Sequence, residues 1–160
     1  IAGLDDSKAL AEATRERLHD LIMRRAVAVA VAIVEADECD RLGMHQADLQ
    51  GLRRAVGRLD VAPNFVLTDG FAVDGLGVPG LAVWKGDKVA ACVSAASIVA
   101  KVTRDRIMVA HDATYPSYGF AIHKGYCTSL HQAALDEHGP SEIHRWCFDN
   151  VARTARVLGP

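Results

Sequence analysis

The four cysteines, Cys39, Cys92, Cys127 and Cys147, contain no C-x-x-C spacing. That removes a zinc-ribbon motif and, in a chain of 160 residues, gives no sign of a disulfide scaffold. A reducing compartment is the simpler expectation. No apolar run is long. The longest, AVAVAVAIV at 26–34, is under half of the ~20 residues a membrane-spanning helix needs. No signal-peptide pattern opens the chain, so a cytoplasmic location without membrane association is expected. Excess charge of one sign is also missing. With a net charge of −2 the molecule is no polycation, and any nucleic-acid contact has to come from a local patch. The seven histidines form no H-x-x-x-H or H-E-x-x-H pair, which leaves a zinc hydrolase little support. G-x-x-x-x-G-K-[ST] and G-x-S-x-G do not occur, and the one G-x-G-x-x-G match, GLGVPG at 75–80, carries a proline and runs into the LAVW strand instead of opening a helix. Nucleoside triphosphatase and α/β-hydrolase readings therefore lose their signatures, and a dinucleotide dehydrogenase reading lacks the strand–turn–helix setting its motif needs. There is no internal repeat and no low-complexity segment.

What remains is an ordinary globular composition, 50% hydrophobic and 24% charged, of a length that suits one domain. Residues 7–25 read as a helix with Leu10, Leu18, Leu21 and Ile22 near one face and Asp6 or Ser7 as its cap. The β-branched run that follows suits a strand. ADLQGLRRAVGRL returns to helical spacing until Pro63, and NFVLTDG (64–70) is the next strand. Residues 70–80 hold four glycines and a proline and form a loop. LAVW is a short strand, a long helix runs from about Val93 to His111, TYPSYGF is a break, and TSLHQAALDEHG is a helix stopped by Gly139-Pro140. The final stretch from Ile143 is expected to be partly helical. Alternating strands and helices predict an α/β fold. The predicted organisation is a core at 1–115 and a C-terminal helical segment at 116–160, packed on the same domain as a cap beside the sheet.

Three groups of residues could carry chemistry. Asp69 and Asp87 each stand just past an apolar strand. The carboxyl ends of strands are where α/β sheets build ligand sites, and two acids there could share a hard cation such as Mg²⁺. Asp-Gly and Gly-Asp are also plain turn pairs, and spacing alone favours the turn. In the long helix, Ser94, Ser97, Lys101, Arg104 and Asp105 follow one another at intervals of 3, 4, 3 and 1. They form a polar stripe opposite Ala95, Ile98, Val99 and Val102, and a solvated face explains such a stripe equally well. In YGFAIHKGYCT (118–128), Tyr118, Phe120, His123, Lys124 and Tyr126 lie among two glycines. Cations beside aromatics suit a phosphodiester with stacked sugars or bases. The competing reading makes Tyr118 and Phe120 core and leaves His123 and Lys124 solvated.

Taken together, LDDSKAL (4–10), LTDG (67–70), KGDKVAACVSAASIVAKVTRDRIM (85–108), YGFAIHKGYCTSLH (118–131) and GPSEIHRWCF (139–148) resemble ribonuclease HII, and most closely its actinobacterial members. The blocks come in family order and span nearly the whole chain. The resemblance implies a ribonuclease H-like fold, a mixed sheet flanked by helices with a small helical C-terminal segment. It implies a metal-dependent endoribonuclease that cleaves the RNA strand of RNA/DNA hybrids and incises 5′ of single ribonucleotides embedded in duplex DNA, leaving a 3′-hydroxyl and a 5′-phosphate. The family uses four carboxylates and two divalent ions, Mg²⁺ or Mn²⁺. By their motifs Asp69 and Asp87 are two of these acids. The other two form a consecutive Asp-Glu in a DEVGRG-like segment, which the 160 residues do not contain; Asp5-Asp6 belongs to the separate DSK motif. The opening IAGLDDSKAL reads like the inside of a protein, and a span holding half of the acids is not expected to cleave by itself. The alternative is accordingly a catalytically incomplete fragment that only binds nucleic acid. The resemblance further implies that Tyr126 stacks on the sugar on the DNA side of the ribonucleotide and that Lys8 contacts substrate phosphate. Ser94, Lys101 and Arg104 would line the site, and His123, Lys124 and Arg145 would touch backbone or hold the C-terminal segment. A monomer is expected, with a sliding clamp as a candidate partner. An unrelated α/β domain binding a small phosphate ligand would need SAASIVAKVTRDR to match by chance.

Overall fold

The computed structural model describes residues 1–158. The elements are α1 (Glu12–Arg25), α2 (Ala36–Leu42), α3 (Met44–Gly57), β1 (Val66–Asp69), β2 (Gly80–Val83), α4 (Gly86–Val89), α5 (Ala91–Thr114), a 3-10 turn at Pro116–Tyr118, α6 (Phe120–His123), α7 (Ser129–His138) and α8 (Asp149–Leu158). They gather into two compact units, residues 1–32 with 49–103, and residues 33–48 with 104–160.

The first unit holds the sheet. Strands β1 and β2 pair in parallel, with Val66 opposite Gly80 and Asp69 opposite Val83. The link between them, residues 70–79, is shorter than the dozen or so residues a parallel crossover usually takes. Gly70, Gly75 and Gly77 all adopt positive φ there, a conformation that costs glycine little and lets so short a link fold back. At Gly80 a Cβ would stand 3.2 Å from the Val66 carbonyl oxygen, so the first pair of the ladder tolerates only glycine without a shift. The core of this unit is Leu18 and Ile22 of α1 against Ile98, Val99 and Val102 of α5, joined by Leu4, Leu10, Val29 and Ala95. Leu18 and Ile98 have no exposed surface, and truncating either to alanine costs about 2–5 kcal/mol.

Two elements differ from expectation. Helix α1 begins at Glu12, five residues later than the spacing predicts. Residues 5–10 are held as a turn instead: Ser94 Oγ donates to the Asp5 carbonyl (2.9 Å), Ser97 and Ser7 share a hydroxyl hydrogen bond (2.7 Å), and the Arg15 guanidinium donates to the carbonyls of Ser7 and Leu10. These bonds replace the helical ones locally. Residues 26–34 form no strand. A strand exists only through a hydrogen-bonded neighbour, and none of the described residues pairs with this run; an exception to its isolation is Arg58, whose guanidinium donates to the Val31 carbonyl (3.1 Å). The short α2 and α4 have no periodicity long enough to announce them.

The second unit is built on aromatic packing. Tyr118 and Phe120 stack with ring centroids 5.3 Å apart and planes 3° apart, within a core of Ala134, Leu135 and Val151. Helix α7 is capped by Thr128, whose hydroxyl accepts the His131 N–H (3.2 Å), and Gly139 at φ 73 ends it. Asp40, in α2, accepts the N–H groups of Trp146 (2.9 Å) and Cys147 (2.8 Å).

Candidate active site and nucleic-acid contacts

The parallel register fixes where the acids fall. Strand β1 ends on Asp69, and β2 ends at Val83, a few residues before Asp87 in the first turn of α4. Asp69 Oδ1 accepts the Gly86 N–H at 2.7 Å, which ties the end of one strand to the turn after the other. A Cβ on Gly86 would come 3.2 Å from Val93 Cγ1 and 3.5 Å from Asp69 Oδ1, so the glycine permits this close approach. Lys85, just before, sits in the left-handed region at φ 53. The result is an open hollow of about 430 Å³ lined by Asp6, Asp69, Gly70, Phe71, Trp84, Lys85, Asp87 and Lys88. Lys88 Nζ stands 3.7 Å from Asp6 Oδ2.

Carboxylate oxygens are the donors a hard divalent ion takes. Mg²⁺ is commonly held by one or two carboxylates with water and substrate phosphate completing its shell, and Asp69 with Asp87 fits that pattern. They do not amount to an all-protein cage: among the described residues no group of three His, Cys, Asp or Glu side chains could hold an ion.

Sequence reasoning missed Asp6, Phe71, Trp84, Lys85 and Lys88 as lining residues. The signal for Asp6 was the doubled acid before Ser7, and for the lysines the KGDK bracket around Asp87. Trp84, 77% exposed, carried none. Lys8 is exposed near Asp6, whose Oδ1 accepts the Lys8 backbone N–H (2.9 Å). Ser94 corrects the expectation of a site-lining hydroxyl: it is 2% exposed and donates to the Asp5 carbonyl, so it anchors the 5–7 turn. Lys101 is half-buried on α5.

In the second unit the residues of the HKGY block separate into two kinds. Tyr126 is 45% exposed, and the Arg104 guanidinium lies 5.1 Å from its ring centroid, a cation–π distance. Arg104 Nη1 also donates to the Lys124 carbonyl (2.7 Å). Lys124 (φ 51) and Gly125 (φ 74) are both left-handed, and a Cβ on Gly125 would meet Met108 Cε at 3.1 Å. This backward turn presents Tyr126. Arg104, Lys124 and Tyr126 are thus brought together.

His123 is of the other kind: of the two expectations for it, touching nucleic-acid backbone or holding the C-terminal segment, its burial speaks against the first. It is 6% exposed, its Nε2 is 2.7 Å from the Tyr118 carbonyl, and its Nδ1 accepts the Gly125 N–H (3.1 Å). Tyr118 and Phe120 are core, as the competing reading had it. Two further buried histidines went unnoticed because no motif spacing joins them. His131 Nε2 is 3.0 Å from His144 Nε2, and His131 Nδ1 is 3.1 Å from the Tyr126 carbonyl. Burial lowers the pKa of both, aided by the neighbouring histidines' charge, and His144 is lowered to about 4. Arg145 packs its guanidinium 4.5 Å from the Phe148 ring centroid and 3.7 Å from Met44 Sδ.

The fold is that of a ribonuclease H-like α/β protein. The crystal structure of the ribonuclease H2 from Pyrococcus horikoshii OT3 matches it with a TM-score of 0.83 over 98% of this chain and 82% of that one, at 23% identity. The family model for ribonuclease HII matches residues 1–151. The chain is 64% identical over 157 residues to the ribonuclease HII of Cutibacterium acnes, covering 98% of this chain and 77% of the relative. It is 63% identical over 155 residues to that of Nocardioides sp., covering 97% of this chain and 65% of the relative. The chain therefore belongs to the ribonuclease HII family, and it spans about two thirds to three quarters of the length of these relatives. Among the described residues no helix is long and apolar enough to cross a membrane.

Proposed function

We propose that the protein is a divalent-metal-dependent endoribonuclease that cleaves the RNA strand of RNA/DNA hybrids and incises 5′ of single ribonucleotides in duplex DNA. The observation that carries this is that Asp69, at the end of β1, and Asp87, in the turn of α4 just after the neighbouring parallel β2, line one open hollow, in a chain of the ribonuclease HII family. Asp69 and Asp87 would hold Mg²⁺ or Mn²⁺, which when bound supplies positive charge to the phosphodiester oxygens and acidifies a bound water. Asp69 is kept in place by its bond to the Gly86 N–H. In the second unit, Tyr126 offers an exposed ring to a sugar or base, and Lys124 and Arg104 add positive charge suited to backbone phosphates. From the first unit, Lys8 is assigned to phosphate contact and Lys101 to lining the site.

The test is cleavage of a duplex carrying one embedded ribonucleotide, with Mg²⁺ or Mn²⁺, by the intact protein and its Asp69→Asn variant. The asparagine amide keeps an oxygen that can accept from Gly86 N–H, so the variant should melt within a degree or two of the parent while cleavage falls at least about a hundredfold. Cleavage at the parental rate would sink the assignment. A second reading, a span that binds hybrid without cutting, draws on the lack of a three-ligand cluster among the described residues. Residues 1–160 alone should then retain hybrid binding and show no cleavage.

A further inference from the structure

Three histidines are buried to 5–7% exposure in the second unit, and the bonds they make leave each only one neutral form. A backbone N–H can only donate. Two Ser141 groups meet His144 Nδ1, the backbone N–H at 3.0 Å and the hydroxyl at 2.8 Å; the hydroxyl can turn to donate but the N–H cannot turn to accept, so that nitrogen accepts and Nε2 carries the hydrogen. His144 Nε2–H then donates to His131 Nε2 (3.0 Å), which must accept, so the hydrogen of His131 is on Nδ1 and points at the Tyr126 carbonyl (3.1 Å). By the same logic Gly125 N–H fixes His123 Nδ1 as an acceptor and puts its hydrogen on Nε2, facing the Tyr118 carbonyl. The rings of His123 and His131 stack with centroids 4.5 Å apart. The backbone on both sides of Tyr126 Cα therefore ends on imidazoles: Gly125 N–H on one, the Tyr126 carbonyl on the other.

We infer that His131, oriented by His144, and His123 are positioning residues that lock the 124–127 backbone and so fix the direction in which Tyr126 presents its ring to the nucleic acid. This rests on the reading of Tyr126 as a substrate contact. A chain of donors running from Ser141 to Tyr126 has a single sense, and reversing any one imidazole sets two hydrogens or two lone pairs against each other. The turn at Lys124 and Gly125 is left-handed at two successive residues, so it needs such an outside restraint to persist.

The test has one arm without substrate and one with it. In the first, ¹⁵N spectra of the intact protein near pH 7.5 should show His131 with its hydrogen on Nδ1, and His144 and His123 with theirs on Nε2. Amide hydrogen exchange at 124–128 should quicken in His131→Leu and return towards the parental rate in His131→Asn, whose amide nitrogen occupies the place of Nδ1. A His131 hydrogen on Nε2, or unchanged exchange in His131→Leu, would overturn the inference. In the second arm, His131→Leu should weaken hybrid binding about tenfold, the equivalent of one buried hydrogen bond lost. His131→Asn should stay within about threefold, and in a Tyr126→Ala background His131→Leu should add nothing. Additive losses would overturn the positioning role. If Tyr126→Ala itself left binding unchanged while the exchange arm behaved as stated, the substrate reading of Tyr126 would fail and the backbone lock would stand.

Discussion

The buried histidines make the stability of this protein depend on pH in a direction that their burial and hydrogen bonds fix. His144 is 7% exposed; burial first, then the charge of His131, lowers its pKa from the ordinary 6.5 to about 4. Its neutral form is the one the fold uses, because Nδ1 must accept from Ser141 N–H. The unfolded chain takes up a proton below about 6.5, whereas the fold resists it until about 4. The contribution is thus fully present above pH 6.5 and is lost as the pH falls towards 4. At about 1.4 kcal/mol per pH unit for one proton, the loss totals roughly 3 kcal/mol. His131, also lowered, chiefly by burial, acts with the same sign, and the two titrate as a pair. Among the described residues no carboxylate offsets the lowering at either histidine. Tyr118 donates to the Gly139 carbonyl, His138 sits edge-on to Tyr118, Lys124 is bound to the Ala121 carbonyl, and the nearby Glu142 is engaged by Tyr115. Urea unfolding of the parent and of His144→Gln, followed by tryptophan fluorescence at several pH values, measures the effect. Glutamine keeps a donor near the place of Nε2 and does not titrate. The stability gap between parent and variant should shrink by roughly 2–3 kcal/mol from pH 7.5 to 4.5. A gap that stays constant over that range would show that His144 is not held neutral in the fold.

Further expectations follow from single side chains. Desolvation pushes the Asp40 carboxyl up, but the N–H groups of Cys147 and Trp146 outweigh it and hold its pKa below the usual value. Asp40→Ala should therefore cost about 1–3 kcal/mol near neutral pH, and less as the pH falls through the native carboxylate pKa, measured by the same urea unfolding. Tyr118→Phe removes the buried hydroxyl that donates to the Gly139 carbonyl at 2.7 Å and should lower stability by about 1–2 kcal/mol; an unchanged melting temperature would count against that bond. Ser94→Ala strands the Asp5 carbonyl and should loosen residues 5–8, seen as faster amide exchange there, at a cost of about 1 kcal/mol. Unaltered exchange would mean the turn is held by Arg15 and Ser97 alone.

How much of this could be read from the sequence depended on whether a residue's surroundings were local. The two strands, the long α5 and the capped α7 were legible because period, cap and glycine stop lie within each segment. Asp69 and Asp87 were legible as acids past strand ends, although only the parallel register brought them to one hollow. The run at 26–34 was misread because a strand is a property of a pair, and β propensity states only one partner's side of it. The start of α1 was misplaced for a similar reason: the hydroxyls that hold residues 5–7 out of a helix come from Ser94 and Ser97, some ninety residues away. His131 and His144 make the point most sharply. They are thirteen residues apart with no motif between them, and their joint role exists only where a 3.0 Å contact forms in a buried core.

The polar stripe of α5 shows why spacing by itself misassigns roles. Ser94, Ser97, Lys101 and Arg104 share one periodicity, and each was open to a reading as a site residue or as a solvated face. The fold gives them different work. Ser94 and Ser97 turn inward and commit their hydroxyls to the 5–7 turn, which carries Asp6 to the rim of the carboxylate hollow. Arg104 directs one donor to the Lys124 carbonyl and lays its charge against the ring of Tyr126. A short polar side chain on a buried helix face must find a partner inside the protein, since an unmade bond there costs as much as a lost one. A long cation at the margin can serve a neighbour and still present charge outward. Chain length and burial, more than position in the repeat, decide which member of such a stripe supports the backbone and which is placed to meet a phosphate. On that basis Arg104, laid against Tyr126, is a member that serves a neighbour from the margin of the helix, while Ser94 and Ser97 act through the turn they hold.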